Sequence, residues 1–392
     1  MSYLNTELAF FVSVILVLVL VFRKTNIAFS LGIGTIFYGV FTLSYDVLSA
    51  TVRSFNLTMI EVIAALTLAM FLAGLFSSLD ISSKMVEGLS VFGEKFAAVS
   101  TPAVVGLLPM PGGAYVSAVM TKSLYDEMRL APHEETFINY WFRHVWIPSW
   151  PLFQGVILAA GVLGTTTQDI IKITWPVTII AASVGLLLTI PRLKSQVSVR
   201  KNGSSLIHLW PFILIGLLTI LIGIDVAIST AITVLIFILV YKPKKVHYIK
   251  ALKHATNITI LLVIIFSLIF SQYIKESGIT SILAVILGPI GNFMAFLIPF
   301  SIGFATGIEF TYVALTFPPL IPLLSGYGLL FAFTGGYMGV MLSPAHSCLI
   351  LSSQHYNAEL PKVYKLIIPT VVITVTLVFL LFSVMNSFNI KI

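Results

Sequence analysis

Charge is what this sequence has least of. Asp, Glu, Lys and Arg together make up 9% of its 392 residues, against about 25% in soluble globular proteins, and a water-facing surface needs roughly a quarter to a third of its positions charged. A soluble fold is therefore excluded. Cysteine is nearly absent as well: Cys348 stands alone, which rules out a disulfide framework and leaves too few thiols for a cysteine-based zinc site or an iron–sulfur cluster. The ten-residue alternation of a membrane β-barrel is missing. No G-x-x-x-x-G-K-[ST] phosphate loop is present, so ATP is not expected to drive this chain directly. The first apolar stretch has neither a basic n-region nor an A-x-A-like site, and is read as a retained helix, not a cleaved signal peptide.

What is abundant is apolar sequence, 58% of the chain. Runs such as 11–22 (FVSVILVLVLVF) and 258–271 (ITILLVIIFSLIFS) are continuously apolar, as helices in hydrocarbon must be. Spans are predicted near 7–22, 27–43, 59–77, 137–163, 175–191, 209–223, 225–241, 258–274, 328–352 and 366–386. Two more stretches, 88–121 and 279–315, are apolar but interrupted by Pro, Gly and Ser. When both are treated as re-entrant hairpins, seventeen of the 22 Lys and Arg fall on one face, four (Arg53, Lys172, Lys275, Lys391) on the other, and Arg143 inside a span. By the positive-inside rule the rich face is cytoplasmic and both termini lie outside. That orientation accounts for the net charge of +7 without a nucleic-acid partner. The basic loops 192–201 and 242–253 serve it too, with contact to anionic membrane lipid as the alternative.

Residues 66–163 and 263–357 repeat one order of features at an offset of about 197 residues: an apolar span, a small-residue hairpin, then a long span broken by proline. The first half carries LLPMPGGAYVSA (107–118) and NYWFRHVWIPSWPLFQG (139–155); the second carries IGFATGIEFTY (302–312) and GGYMGVMLSPAHSCLI (335–350). Pro148 falls opposite Pro344. With five crossings between their starts the two units face opposite ways, an inverted repeat. A broken helix strands backbone groups that cost several kcal/mol each in hydrocarbon, so the breaks must be buried in protein or line a cavity. Half-helix N-termini offer donors and partial positive charge to an anion, and C-terminal ends offer carbonyls to a cation. The pattern points to a ligand site near the midplane.

Two hairpin tips and two proline-broken spans in inverted order resemble the ion transporter superfamily, which includes the divalent-anion/sodium symporters and gluconate permeases. Within it, PMPGGA (109–114), NYWFRHVW (139–146) and LSPAHSCLILSSQ (342–354) look like an uncharacterised prokaryotic family of integral-membrane proteins. The resemblance spans roughly residues 60–386. It implies an inner-membrane carrier, a homodimer, with a scaffold and a mobile transport part that holds both tips and both breaks. In the better-known symporters, Ser-Asn-Thr signatures at those places bind sodium and carboxylate. Here Pro109, Pro111, Gly112 and Gly113 occupy the first tip, and Thr306, Gly307 and Glu309 the second, so the coupling ion stays open between Na+ and H+.

Single residues sharpen the expectation. Arg143 lies in the first broken span ahead of Pro148; an intramembrane guanidinium suits a carboxylate bidentately, or forms a structural ion pair. Glu309, at the second tip, is expected to carry a coupling proton or cation, or to form a salt bridge to Arg143. A free imidazole titrates near neutral pH, which suits proton coupling, so His346 is the second coupling candidate, ahead of His144. Hydroxyls of Ser149, Ser343 and Ser347 bind ligand or cap the broken ends. Asp225 is read as a helix cap; Trp141, Trp146 and Trp150 as packing or interface anchors. The expected architecture is an all-α membrane protein of about ten spans plus two re-entrant hairpins. It divides into scaffold helices (1–58), a first repeat (59–208), central helices with a basic loop (209–257) and a second repeat (258–392). The expected function is secondary transport of a small anion, an organic carboxylate, with no cofactor beyond the coupling ion and no metal. The alternative is an intramembrane enzyme or translocase for a lipid-linked substrate, with His346, Glu309 and Ser347 as its reactive groups.

Overall fold

Polar side chains set where the helices start. In the computed structural model, which describes residues 3–110, 112–193 and 203–388, Asn26, Asn56, Thr166, Asp225 and Asn257 each accept a backbone N–H from the first turn of the helix that follows. Such a cap is worth about 1 kcal/mol. The cap expected of Asp225 is there, its carboxylate accepting from Ala227 and Ile228 at 2.8 and 3.3 Å. Pro111, most of the basic loop 192–201, and Lys391 lie outside the described residues.

The described residues form helices and no strand. Three come first: α1 (Tyr3–Phe22), α2 (Ile27–Leu43) and α3 (Val47–Ser54). Then follow α4 (Leu57–Ser78), α5 (Ile81–Leu89), α6 (Glu94–Gly106), α7 (Gly113–Glu127), α8 (Pro132–His144), α9 (Gln154–Leu163) and α10 (Thr167–Thr189). The middle of the chain holds α11 (Trp210–Gly216), which runs into a π-helical stretch at Leu217–Ile222, then α12 (Val226–Tyr241) and α13 (Lys245–Ala255). The seven-helix order returns as α14 (Ile258–Ser277), α15 (Ile279–Leu287), α16 (Gly291–Thr306), α17 (Glu309–Leu320), α18 (Tyr327–Leu342), α19 (Ser347–His355) and α20 (Leu360–Ser387).

Among the described residues, eight stretches are long and apolar enough to cross a bilayer, so the molecule is a multi-pass membrane protein. Three expected spans are shorter, at Thr6–Phe22, Val226–Tyr241 and α8 to α9, the last because its break leaves pieces of 13 and 10 residues. Ile279–Thr306 counts among the eight, although Gly288 and Pro289 divide it into α15 and α16. The second interrupted stretch thus resolves into a short leading helix, α15, followed by a helix–turn–helix; the first is a helix–turn–helix whose leading helix, α5, lies almost wholly ahead of it. The turns fall between the end of α6 at Gly106 and the start of α7 at Gly113, and between Thr306 and Glu309, later in each stretch than its midpoint. The expected proline breaks fall at 145–153, around Pro148, and at 343–346, around Pro344.

Away from these interruptions the ion pairs are ordinary. Arg53 on α3 makes a two-pronged contact with Glu276 on α14 at 2.9 and 2.6 Å, but its side chain is 53% exposed, and exposed pairs contribute little. Arg53→Ala is expected to move the melting temperature of the purified protein by no more than about 2 °C, read in a thermal unfolding scan.

Candidate functional site

The end of α6 leaves backbone carbonyls without intrahelical partners, as every helix end does. Here side chains from the first broken span supply the donors. Trp146 Nε1 donates to Ala103 O at 2.9 Å, Arg143 Nη1 to Val105 O at 3.1 Å, Trp150 Nε1 to Leu107 O at 3.0 Å, and Arg143 Nη2 to Met110 O at 3.3 Å. These tryptophans are hydrogen-bond donors to the last turn of α6 and the residue just past it as well as packing groups, and Trp141 donates to Ala181 O at 2.9 Å in the middle of α10. Arg143 is 6% exposed and its Nε has no partner. It makes no ion pair with Glu309 among the described residues; the carboxylate's near neighbour is His144, with Nε2 at 3.8 Å.

The second half is pinned in the same way. Tyr140 OH donates to Met341 O at 3.2 Å and Tyr364 OH to Leu342 O at 3.1 Å, just before the second break. Asn139, fully buried, bridges the halves by donating to Ala114 O on α7 and Ser352 Oγ on α19, both at 2.9 Å. The second tip rests directly on the second break: a Cβ on Gly307 would stand 2.7 Å from His346 N, and the residue's φ of +64° favours glycine in any case.

All four interruptions meet around one cavity of about 190 Å³. Leu108, Pro109 and Met110 come from the first tip; Arg143, His144, Phe153 and Gln154 from the two edges of the first break. Gly307, Ile308, Glu309 and Phe310 come from the second tip, and His346, Ser347 and Cys348 from the second break. Gln154, Glu309 and Ser347 are the first residues of α9, α17 and α19. Three helix N-termini therefore face the cavity, and each favours negative charge nearby.

Of the residues singled out in the sequence, Pro109, Arg143, Gly307, Glu309, His346 and Ser347 line this cavity. Gly113 backs onto it, packed so closely on the Arg143 guanidinium that a Cβ would stand 2.3 Å from Nη2. Gly112, in the left-handed region, turns the chain into α7. Thr306 bonds back to Ile302 O at 2.8 Å, and Ser343 accepts from Ala345 N at 3.2 Å; both shape the backbone. Ser149 lies elsewhere, bonded to Thr178 at 2.6 Å in a recess with Trp146, Trp150, Lys172 and Trp175. Three polar residues in the cavity were not among those expected to form the site: Gln154, His144, and Cys348, whose single occurrence gives no spacing to read. His144, ranked below His346, stands beside it with ring centroids 4.8 Å apart.

Residues 5–385 match the family model described as "Protein of unknown function (DUF401)". No curated protein matches the sequence. Among solved structures, the fold is similar to the crystal structure of the Alcanivorax borkumensis YdaH transporter, described as having an unusual topology. The TM-score is 0.60 at 15% sequence identity, over 88% of this chain and 88% of that one.

Proposed function

The chain belongs to the DUF401 family, and from that premise and the cavity's geometry we propose that it is a secondary active transporter. It moves a small anion, an organic carboxylate, across the cytoplasmic membrane by an alternating-access, elevator-like movement coupled to H+ or Na+. The observation that carries this reading is the convergence of both tips and both breaks on a single cavity, because interrupted backbone at membrane depth persists only where it is buried or lines such a space. The fold shared with a transporter supports it.

The remaining assignments follow from the same reading. The helix–turn–helix units α6–α7 and α16–α17 are the re-entrant hairpins of two inverted repeats, and the protein has ten crossings with both termini outside. It belongs with the ion transporter superfamily and works as a homodimer. The Arg143 charge and three helix N-termini favour the anion, while Glu309 and His346 face the same space as acceptors for the coupling cation. In proteoliposomes the expected result is saturable uptake of at least one carboxylate, accelerated by an inward H+ or Na+ gradient. Uptake indifferent to every imposed gradient, for every anion in a broad panel, overturns the proposal.

A further inference from the structure

Four electron-pair donors crowd one wall of the cavity. The ligand atoms of His144, His346 and Cys348 all lie within 4.8 Å of one another, and Glu309 Oε1 is 3.8 Å from His144 Nε2. The three residues come from both broken spans, so the fold brings them together and no sequence spacing does.

The hydrogen bonds fix which atom each ring presents. His144 Nδ1 is 2.6 Å from Tyr140 O, and His346 Nδ1 is 3.3 Å from Val340 O. A carbonyl oxygen only accepts, so each Nδ1 must carry the proton and each neutral ring keeps its lone pair on Nε2. A ligating histidine is ordinarily held in this way, its second nitrogen donating to a backbone carbonyl that orients the ring. Two imidazole lone pairs, a carboxylate and a thiol that hydrogen-bonds to His144 then face one another, and a cation that displaces the thiol proton satisfies them all. His144 and His346 are 2% and 3% exposed, so both rings are held in place by the surrounding protein while their outer edges face the cavity.

We propose that His144, His346 and Cys348 form a binding site for one divalent transition-metal ion of the zinc class, with Glu309 beside it. Imidazole and thiolate are the donors such ions favour over the hard cations Mg2+ and Ca2+. Zinc–nitrogen and zinc–sulfur bonds of about 2.0 to 2.3 Å put tetrahedral ligands roughly 3.5 Å apart, so the cluster draws in by roughly 1 Å at its widest when filled. Binding forms a metal–sulfur bond and releases the thiol proton to solvent. Three protein ligands leave a fourth position, open to Glu309 or to an anion in the cavity. The inference rests on the donor set and does not require the carrier reading.

The test uses the full chain, purified in detergent without a histidine tag, stripped of metal, kept reduced and titrated with Co2+ alone. The expected result is one tight equivalent with a near-ultraviolet thiolate-to-cobalt charge-transfer band. Because Cys348 is the one cysteine in the sequence, that band reports this site and no other. Cys348→Ser should abolish the band and weaken binding at least tenfold. His144→Gln and His346→Gln, which keep a side-chain donor for the backbone carbonyl, should each weaken binding at least tenfold while the melting temperature without metal stays close to that of the parent protein. Absence of the band in the parent protein overturns the proposal, as does unchanged affinity in both histidine variants. Since no transport is measured, failure here leaves the uptake experiment untouched.

Discussion

Arg143→Ala is expected to abolish gradient-driven uptake and to lower the stability of the protein by about 2–4 kcal/mol, read by denaturant or thermal unfolding in detergent. Two buried carbonyls, Val105 O and Met110 O, lose a guanidinium donor, at about 1–3 kcal/mol each. Each keeps a backbone donor, Leu108 N for Val105 O and Gly113 N for Met110 O, both at 3.2 Å, and removing a buried charge relieves its desolvation, so the sum stays in the lower part of that range. Trp146 and Trp150 still hold Ala103 O and Leu107 O, so the tip loosens without unravelling. Arg143→Lys separates the two roles: it keeps the positive charge beside the cavity but cannot fork between two carbonyls. It should retain part of the stability and lose most of the uptake. An alanine variant that unfolds like the parent protein and still transports rules out both roles.

The parts of this architecture that could be read from the sequence are those that physics writes into composition. Helices in hydrocarbon must be apolar throughout, and helix breaks need proline or glycine, so the multi-pass helical architecture and the breaks around Pro148 and Pro344 are legible in the sequence. The leading helices α5 and α15 are not, because nine-residue amphipathic segments merge into the apolar run that follows. Arg143 stands out as a charge in lipid, yet its partners do not: Val105 O and Met110 O belong to the backbone, and carbonyls at a helix end or a tip leave no signature in residue type. Cys348 shows the opposite limit. As an isolated cysteine it reads only as an absence of disulfides, and it acquires neighbours when two breaks about 200 positions apart in sequence close on one cavity.

The α16–α18 contact should prove unforgiving. Lipid supplies no hydrophobic drive between helices, so association depends on close approach at small residues. On α18, Gly335 and Gly339 stand four apart on one face, and a Cβ at either would lie 2.1 or 2.2 Å from Phe296 O or Phe300 O of α16. The obstacle is backbone, which cannot swing aside as a side chain would, so the helices must separate. Overpacking ordinarily costs about 1–3 kcal/mol, and Gly335→Leu is expected at or above the top of that range. The displacement is also aimed at the cavity: α16 ends at Thr306, just before the Gly307 tip, and α18 ends at Leu342, just before the second break. Moving one against the other lifts Gly307 off His346 and spreads the cavity wall. Gly335→Leu should therefore lose uptake along with stability, whereas Gly335→Ala should show a smaller loss of both. Gly288→Ala, with nothing within 4 Å of the added carbon, should unfold and transport like the parent protein. If Gly335→Leu matches Gly288→Ala in the unfolding measurement, the two helices do not pack backbone to backbone, and the second tip is held by something other than this contact.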